Sequence, residues 1–386
     1  MIVKLEKLVV GGQALGTLAD GRKVFVWGGL PQETVEVVIS KSKKSYAEGL
    51  VERVLTASGR RAAPKDDCYL STSPWQIMDY QFELAQKTEL VQEAFRQQGI
   101  TLPKSQLATD GQDFFYRNKM EYALWWSNQK SQIELAFHRR GSHQKVPVAS
   151  SSIERPEIFA EAVRMVERLN AQQAEARTYQ SLMLRCDQAG QVSGGLFENY
   201  QPHPQMPRLT DTILGREYSY LPNGFFQINL PVYELAVAEI RRQISTDLPI
   251  VDMYAGVGTI GLSAARENQP VSLIETNKAA FSELQNNCLG QKSAKAVFSD
   301  AENALDYIIY DINLIVDPPR AGLDEAVVAR ILKSTPKKLI YLSCNPITQA
   351  RDIAKLTEKY QISQNFGYNF FPRTPHIENL VVLERL

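Results

Sequence analysis

From Asp211 to the C-terminus, short apolar runs alternate with helical stretches, and most of the runs end in a residue suited to chemistry. The runs are PIVDMYA, PVSLIE, AKAVFSD, INLIVDPP, KLIYLSCN and ENLVVLERL. Strands separated by helices pair largely in parallel, because each crossover returns the chain to the same edge of the sheet. An α/β domain follows, and the C-terminal ends of its strands are where such sheets hold ligands. A chain of 386 residues exceeds one such core, so further domains are required.

Residues 1–58 read as short strands joined by turns, with Gly11-Gly12 and the hairpin signal Asp20-Gly21, which is the pattern of a small β-barrel. Lys41, Lys43 and Lys44 fall on its loop side, either as a surface for a polyanion or as a solvated lysine turn. Residues 59–210 form a central α+β unit. It has a helix over Tyr80–Gly99, strands around a turn at Ser127-Asn128, a helix over Pro156–Asn170 and the strand SLMLRCD. The Pro-rich stretch NYQPHPQMPRLT marks the boundary to a third domain, 211–386.

The formal net charge is zero, which argues against a uniformly basic surface but not against a basic face balanced elsewhere. Four scattered cysteines, Cys68, Cys186, Cys288 and Cys344, lack zinc-site or disulfide spacing and read as reduced thiols of a cytoplasmic protein. Charged Lys4, Glu6 and Lys7 interrupt the N-terminus before a signal-peptide core could form, and no run is apolar for long enough to span a membrane.

The strand ends carry the argument further. PIVDMYA runs into Gly256-Val257-Gly258-Thr259 and a helix beginning near Ile260, a glycine turn that many nucleotide-binding folds share. Glu275, about twenty residues on, suits ribose hydroxyls, and Asp300, at the end of a third strand, suits an adenine edge. Together these describe an adenosine-bearing cofactor. Asp317-Pro318-Pro319-Arg320 fixes a carboxylate at the same edge, where it can hydrogen-bond a planar base. KLIYLSCNP delivers Cys344 there before a helix N-terminus, a setting that favours thiolate, whereas most cysteines are inert core residues. Glu378, stiffened by Pro372 and Pro375 and preceded by His376, stands where a proton acceptor near a thiol would.

Taken in order, FFQIN, DMYAGVGT, the Glu275 strand, VDPPRAGLD, YLSCNP and PHIENLVVLER closely resemble the uracil-5 RNA methyltransferase family. The resemblance spans nearly the whole chain. It implies a Rossmann-like class I methyltransferase domain, a TRAM barrel of the OB type at the N-terminus and S-adenosylmethionine as cofactor. It also implies Cys344 as nucleophile and Glu378 as base, with Gln227, Tyr254, Glu275 and Asp317 at the cofactor site and Gly256, Gly258, Thr259 and Asp300 beside them. Arg117 and Lys119, in FYRNKMEY, fall where the family has a basic strand facing RNA, and Asp317 and Asn345 are expected against the target base. The rRNA members commonly hold an iron–sulfur cluster on four cysteines, but here CYLSTSPWQIMDY keeps only Cys68, so no cluster and no metal is expected.

Carbon 5 of uracil is a weak nucleophile until a thiolate adds at carbon 6, which is the task for Cys344; removal of the carbon 5 proton then falls to Glu378. The expected partner is RNA, with rRNA favoured over tRNA because of the barrel, and the protein is expected to be a monomer. Rival readings are an amino-methylating enzyme of the same fold, a cytosine-5 methyltransferase, and a catalytically silent RNA-binding protein of ribosome assembly.

Overall fold

A computed structural model of the chain describes every residue except Lys104, His143, Asn199, Tyr200 and 203–205, so part of the NYQPHPQMPRLT boundary lies outside the described residues. The first five strands, β1 (Ile2–Leu8), β2 (Ala14–Thr17), β3 (Lys23–Trp27), β4 (Thr34–Ser42) and β5 (Tyr46–Thr56), close into a barrel in the order β1-β2-β3-β5-β4. Their alternating burial puts Val3, Leu5, Val24, Val26, Val35 and Val37 inside, as a period of two requires. Lys43 and Lys44 sit in the β4–β5 turn, while Lys41 lies within β4 and pairs with Glu48 at 2.7 Å.

The connecting helix spans Tyr80–Arg96. Asp79 caps it by accepting from Phe82 N at 2.8 Å, and Gly99, at φ +74°, leaves the helical conformation. The strand β6 (Leu107–Ala108) crosses to the main sheet of the C-terminal half, a placement that local pattern does not reveal. The central domain is a sheet of six strands. It consists of β7 (Lys119–Ser127), β8 (Gln132–His138), β9 (Lys145–Pro147), β10 (Ser181–Cys186), β11 (Val192–Glu198) and β12 (Gln201–Pro202), covered by the helix Pro156–Ala171.

A hairpin, β13 (Leu209–Ile213) and β14 (Arg216–Tyr220), leads into the third domain, beginning two residues before the boundary read from sequence. The main sheet then takes β15 (Ile250–Asp252), β16 (Val271–Glu275), β17 (Ala294–Phe298), β18 (Asn313–Val316), β19 (Lys338–Ser343), β20 (Tyr360–Tyr368) and β21 (Glu378–Arg385). Its order is β17-β16-β15-β18-β19-β21-β20-β6, with β15 to β19 parallel and β21 running against β19. Apolar cores fill both faces, so β18 and most of β19 are buried on both sides, as parallel strands need. One of those cores runs on without a break into the barrel through Trp75, whose Nε1 donates to the Gly12 carbonyl at 3.0 Å.

Candidate active site

At the end of β15 the chain turns through Gly256, at φ +57°, and Gly258, at φ +91°, before the helix Thr259–Ala264. A Cβ on Gly258 would lie 2.6 Å from Leu284 Cδ1 and 2.9 Å from Leu262 Cδ1, so both conformation and space call for glycine. Gly256 N donates to Glu275 Oε2 at 2.8 Å and Asn277 N to Oε1 at 2.5 Å, fixing the carboxylate at the tip of β16. The third strand ends at Phe298 rather than at Asp300, which stands two residues beyond and accepts from Asn303 N at 2.9 Å. Tyr254, Glu275 and Asp300 line one cavity of about 510 Å³ that reaches Pro319 and Ala321 of the loop after β18. Gln227 and Thr259 lie outside its walls: Gln227 is buried with its carbonyl held by Asn118 Nδ2 at 3.1 Å, and Thr259 is buried against Tyr233.

Beside that cavity the chain gathers acids with little to neutralise them. Asp252, the last residue of β15, is fully buried; Oδ2 accepts from Gly261 N at 2.9 Å, and Oδ1 has no partner within hydrogen-bond geometry among the described residues. Burial pushes its carboxyl up to about 7 against the pull of the Gly261 and Tyr254 amides. Asp317 is pushed up to about 7 by burial and then by the Asp252 charge. Glu378 is pushed well above the carboxylate range by burial and by Asp317, with Arg320 pulling the other way. Uncompensated buried negative charge of this kind suits a cationic ligand. S-adenosylmethionine, with a sulfonium and an α-ammonium, fits the acids, the adenosine-sized cavity and the glycine turn.

Cys344 follows β19, and Glu378 opens β21. Because β21 runs antiparallel, with Ser343 opposite Asn379, both residues arrive at the same sheet edge. The thiol is half-buried and pushed up to about 11, first by burial and then by Glu378 and Asp317, while the charge and hydrogen bond of Arg320 lower it. Asn345 spends its donors inside the loop. Its N donates to Ser343 Oγ at 3.1 Å, its Nδ2 to the Arg320 carbonyl at 2.9 Å, and its Oδ1 caps the helix Pro346–Leu356 through Ile347 N at 3.1 Å. It therefore shapes the loop after Cys344, and its Nδ2 carries a second hydrogen besides the one given to Arg320.

Lys119, at the start of β7, points its Nζ toward the Asn223 and Gly224 carbonyls at 3.4 Å and is lowered to about 8 by burial and by Arg185. Arg117 donates from Nε to the Lys119 carbonyl at 2.7 Å, and its charge is felt at His376, which places it near the Cys344 edge. Sequence reasoning passed over Asp252 and named Arg320 and His376 without giving them a role. Asp252 had a signal, as the last residue of the strand before the glycine turn; the other two come together only through the fold.

The segment that carries His376 and Glu378 is clamped from the connecting helix. Buried Lys87 pairs with Glu83 at 2.9 Å and donates to Asn369 Oδ1 at 2.6 Å and to the Phe371 carbonyl at 3.0 Å. Arg373 N donates to Glu83 Oε1 at 2.9 Å, and Trp75 N to the Arg373 carbonyl at 3.0 Å. The Cys68 region thus packs around Trp75, and Cys68 itself is buried with its thiol pushed up to about 12 by burial and then by Asp66. Among the described residues no group of three or more His, Cys, Asp or Glu side chains is arranged to hold a metal, and no helix is long and apolar enough to cross a membrane.

Residues 212–386 match the model of the tRNA (Uracil-5-)-methyltransferase family. Along the whole chain, an uncharacterized RNA methyltransferase of Treponema denticola is 24% identical, over 100% of this chain and 99% of that one. Another from Thermosynechococcus vestitus is 28% identical, over 99% and 97%. The crystal structure of Pyrococcus abyssi tRNA (uracil-54, C5)-methyltransferase, in complex with S-adenosyl-L-homocysteine, superimposes with a TM-score of 0.80 over 99% of this chain and 100% of that one, at 21% identity, and so shares the fold. With glycine turn, acids and thiol arrayed along one sheet edge and these relatives spanning its length, the chain is an S-adenosylmethionine-dependent RNA methyltransferase whose residues 212–386 are similar to the tRNA (Uracil-5-)-methyltransferase family.

Proposed function

We propose that the protein methylates carbon 5 of a specific uridine in RNA through a transient bond between Cys344 Sγ and carbon 6. The observation that carries this reading is the convergence of Cys344, Glu378 and Asp317 at one edge, close enough for each carboxylate to raise the thiol. S-adenosylmethionine supplies the electrophilic methyl group. Cys344 thiolate adds at carbon 6, and the carbon 5–carbon 6 π electrons move toward the carbonyl oxygen at carbon 4, which makes carbon 5 nucleophilic. Once carbon 5 has taken the methyl, Glu378 accepts its proton; the electrons left behind restore the ring double bond and expel the thiolate. Burial and the Asp317 charge raise the Glu378 carboxyl, so that once ionised it is a stronger base than an ordinary carboxylate.

Asp317 orients the base, and Tyr254, Glu275 and Asp300 hold the adenosine moiety, with Gly256 and Gly258 letting the backbone approach. Gln227 and Thr259 belong to the same side as supports. Arg117 and Lys119 bind the RNA backbone near the everted nucleotide. The protein acts in the cytoplasm as a monomer, in three domains with boundaries near 58 and 210. The 23S rRNA expectation rested on the barrel. The Pyrococcus protein, whose name gives tRNA as its substrate, is covered over its full length by this architecture, so the barrel does not separate the two targets. A tRNA uridine stands beside an rRNA uridine as substrate.

Glu378→Gln protein incubated with cognate RNA and cofactor is expected to accumulate a covalent complex, seen as a shifted band on a denaturing gel. Turnover should fall by roughly 10²–10⁴-fold, and Cys344→Ala should abolish both turnover and band while remaining folded. Turnover by Cys344→Ala would remove the covalent mechanism. Mapping 5-methyluridine in RNA from cells with and without the gene identifies the target; loss of 5-methylcytidine or of a methylated amine instead would favour the rival chemistries, and cofactor binding with no methyl transfer would favour the silent RNA-binding reading.

A further inference from the structure

Arg320 follows the Asp317-Pro318-Pro319 turn, and three tethers hold it. Its carbonyl accepts from Asn345 Nδ2 at 2.9 Å and from Thr348 Oγ1 at 3.2 Å, which ties its backbone to the loop and helix that follow Cys344. Its guanidinium stands close enough to the Cys344 thiol to lower it. Its Nη2 also lies 3.0 Å from His376 Nδ1, on the segment that leads into Glu378.

Guanidinium nitrogens only donate, so Nδ1 must accept and the imidazole must be neutral, with its proton on Nε2. The surroundings enforce that state. Burial lowers the imidazole to about 4, and the charges of Arg320, Lys87, Arg117 and Arg140 act in the same direction. The ring is itself held, with its centroid 5.4 Å from that of Phe371 at 66° and its backbone N donating to Thr374 Oγ1 at 3.3 Å. An exposed arginine side chain is otherwise free to sample many rotamers.

We propose that His376 is a positioning residue for the covalent step: its Nδ1 holds the Arg320 guanidinium against the Cys344 sulfur, so that the thiolate forms beside a fixed cation. The inference deepens the reading of Cys344 as nucleophile and rests on it. Arg320 acts on the Cys344 thiol against burial, Glu378 and Asp317, so its position there contributes to how readily the thiol loses its proton.

The test is alkylation of Cys344 by iodoacetamide in the free, full-length protein, followed by mass spectrometry of the Cys344 peptide between about pH 6 and about pH 10, a window that brackets ordinary thiol titration. His376→Leu should slow alkylation roughly tenfold at a given pH, equivalent to moving the profile up by about one pH unit. His376→Asn should stay near the wild-type profile, because Asn Oδ1 takes the place of Nδ1 as acceptor. Arg320→Met should match His376→Leu, and the double variant should add nothing further. A wild-type profile in His376→Leu, a profile in His376→Asn as slow as that of leucine, or additive effects in the double variant would overturn the proposal. A failure of the covalent reading shows separately, as absence of the RNA adduct in Glu378→Gln.

Discussion

Asp317→Asn should make the folded protein more stable at pH 8 and less active, and the pH dependence of that gain is the informative part. An unfolded aspartate ionises near 3.8, whereas folded Asp317 keeps its proton to about 7. Between those values unfolding releases a proton, so stability falls as pH rises through the window and levels off above it; below 3.8 both states are protonated and the loss vanishes. The difference of 3.2 units between 7 and 3.8, at about 1.36 kcal/mol each, sets a ceiling near ~4 kcal/mol. Part of it belongs to Asp252, whose charge is a cause of the shift, and Asp317 is only half-buried, so replacing Asp317 alone should recover roughly 2 kcal/mol. Asparagine is close in shape and does not ionise. Urea midpoints of wild type and variant should therefore converge near pH 4 and separate by pH 8, with the variant ahead. S-adenosylmethionine should close the gap by stabilising the wild type more at pH 8 than at pH 5, since its cationic groups relieve the ionised acids. A gap that does not change with pH, or a wild type that gains on the variant as pH rises, would refute the electrostatic reasoning.

Gly258→Ala meets both a left-handed backbone and two leucine methyls, for about 1–3 kcal/mol of strain; calorimetry should show cofactor affinity weakened by tenfold or more, and unchanged affinity would count against the turn as a cofactor cradle. Lys87→Ala takes from buried Glu83 its nearer cation, leaving Arg373 at 4.0 Å, and frees Asn369 and the Phe371 carbonyl, so unfolding free energy should drop by about 3–5 kcal/mol, with a loss below about 1 kcal/mol refuting the clamp. Protein purified without oxygen should lack iron–sulfur absorbance, because Cys68 stands without a grouped set of thiols around it; a brown preparation with stoichiometric iron would contradict that.

The strand ends proposed to hold the cofactor were legible as features of the fold because each pattern is local. A glycine turn after an apolar run, an acid closing the next strand and Asp-Pro-Pro closing a later one are patterns of a few neighbouring residues, and β15, β16 and β18 end as those patterns require. The barrel was legible for the same reason, its strands alternating at a period of two between turn residues. Lys87 and Glu83 show the opposite case. In sequence they are two polar positions on a helix of good helix formers, and nothing nearby says that this face is covered. Only the packing of residues 369–373 against the helix turns them into a buried pair.

Glu378 shows why the remainder of the site could not be placed by pattern alone. A strand that begins with its acid, read as one more parallel member of the sheet, would put that carboxylate at the amino edge, on the far side from Cys344. The strand β20, which the apolar pattern of the sequence does not announce, runs against β21, and β21 against β19; that reversal brings Asn379 opposite Ser343 and Glu378 beside the thiol. The same reversal carries His376 up to Arg320. The pairing of Cys344 with Glu378 is thus a property of strand direction, set by which neighbours β21 finds in the sheet, and two residues that local signals treat as unrelated are brought together through it.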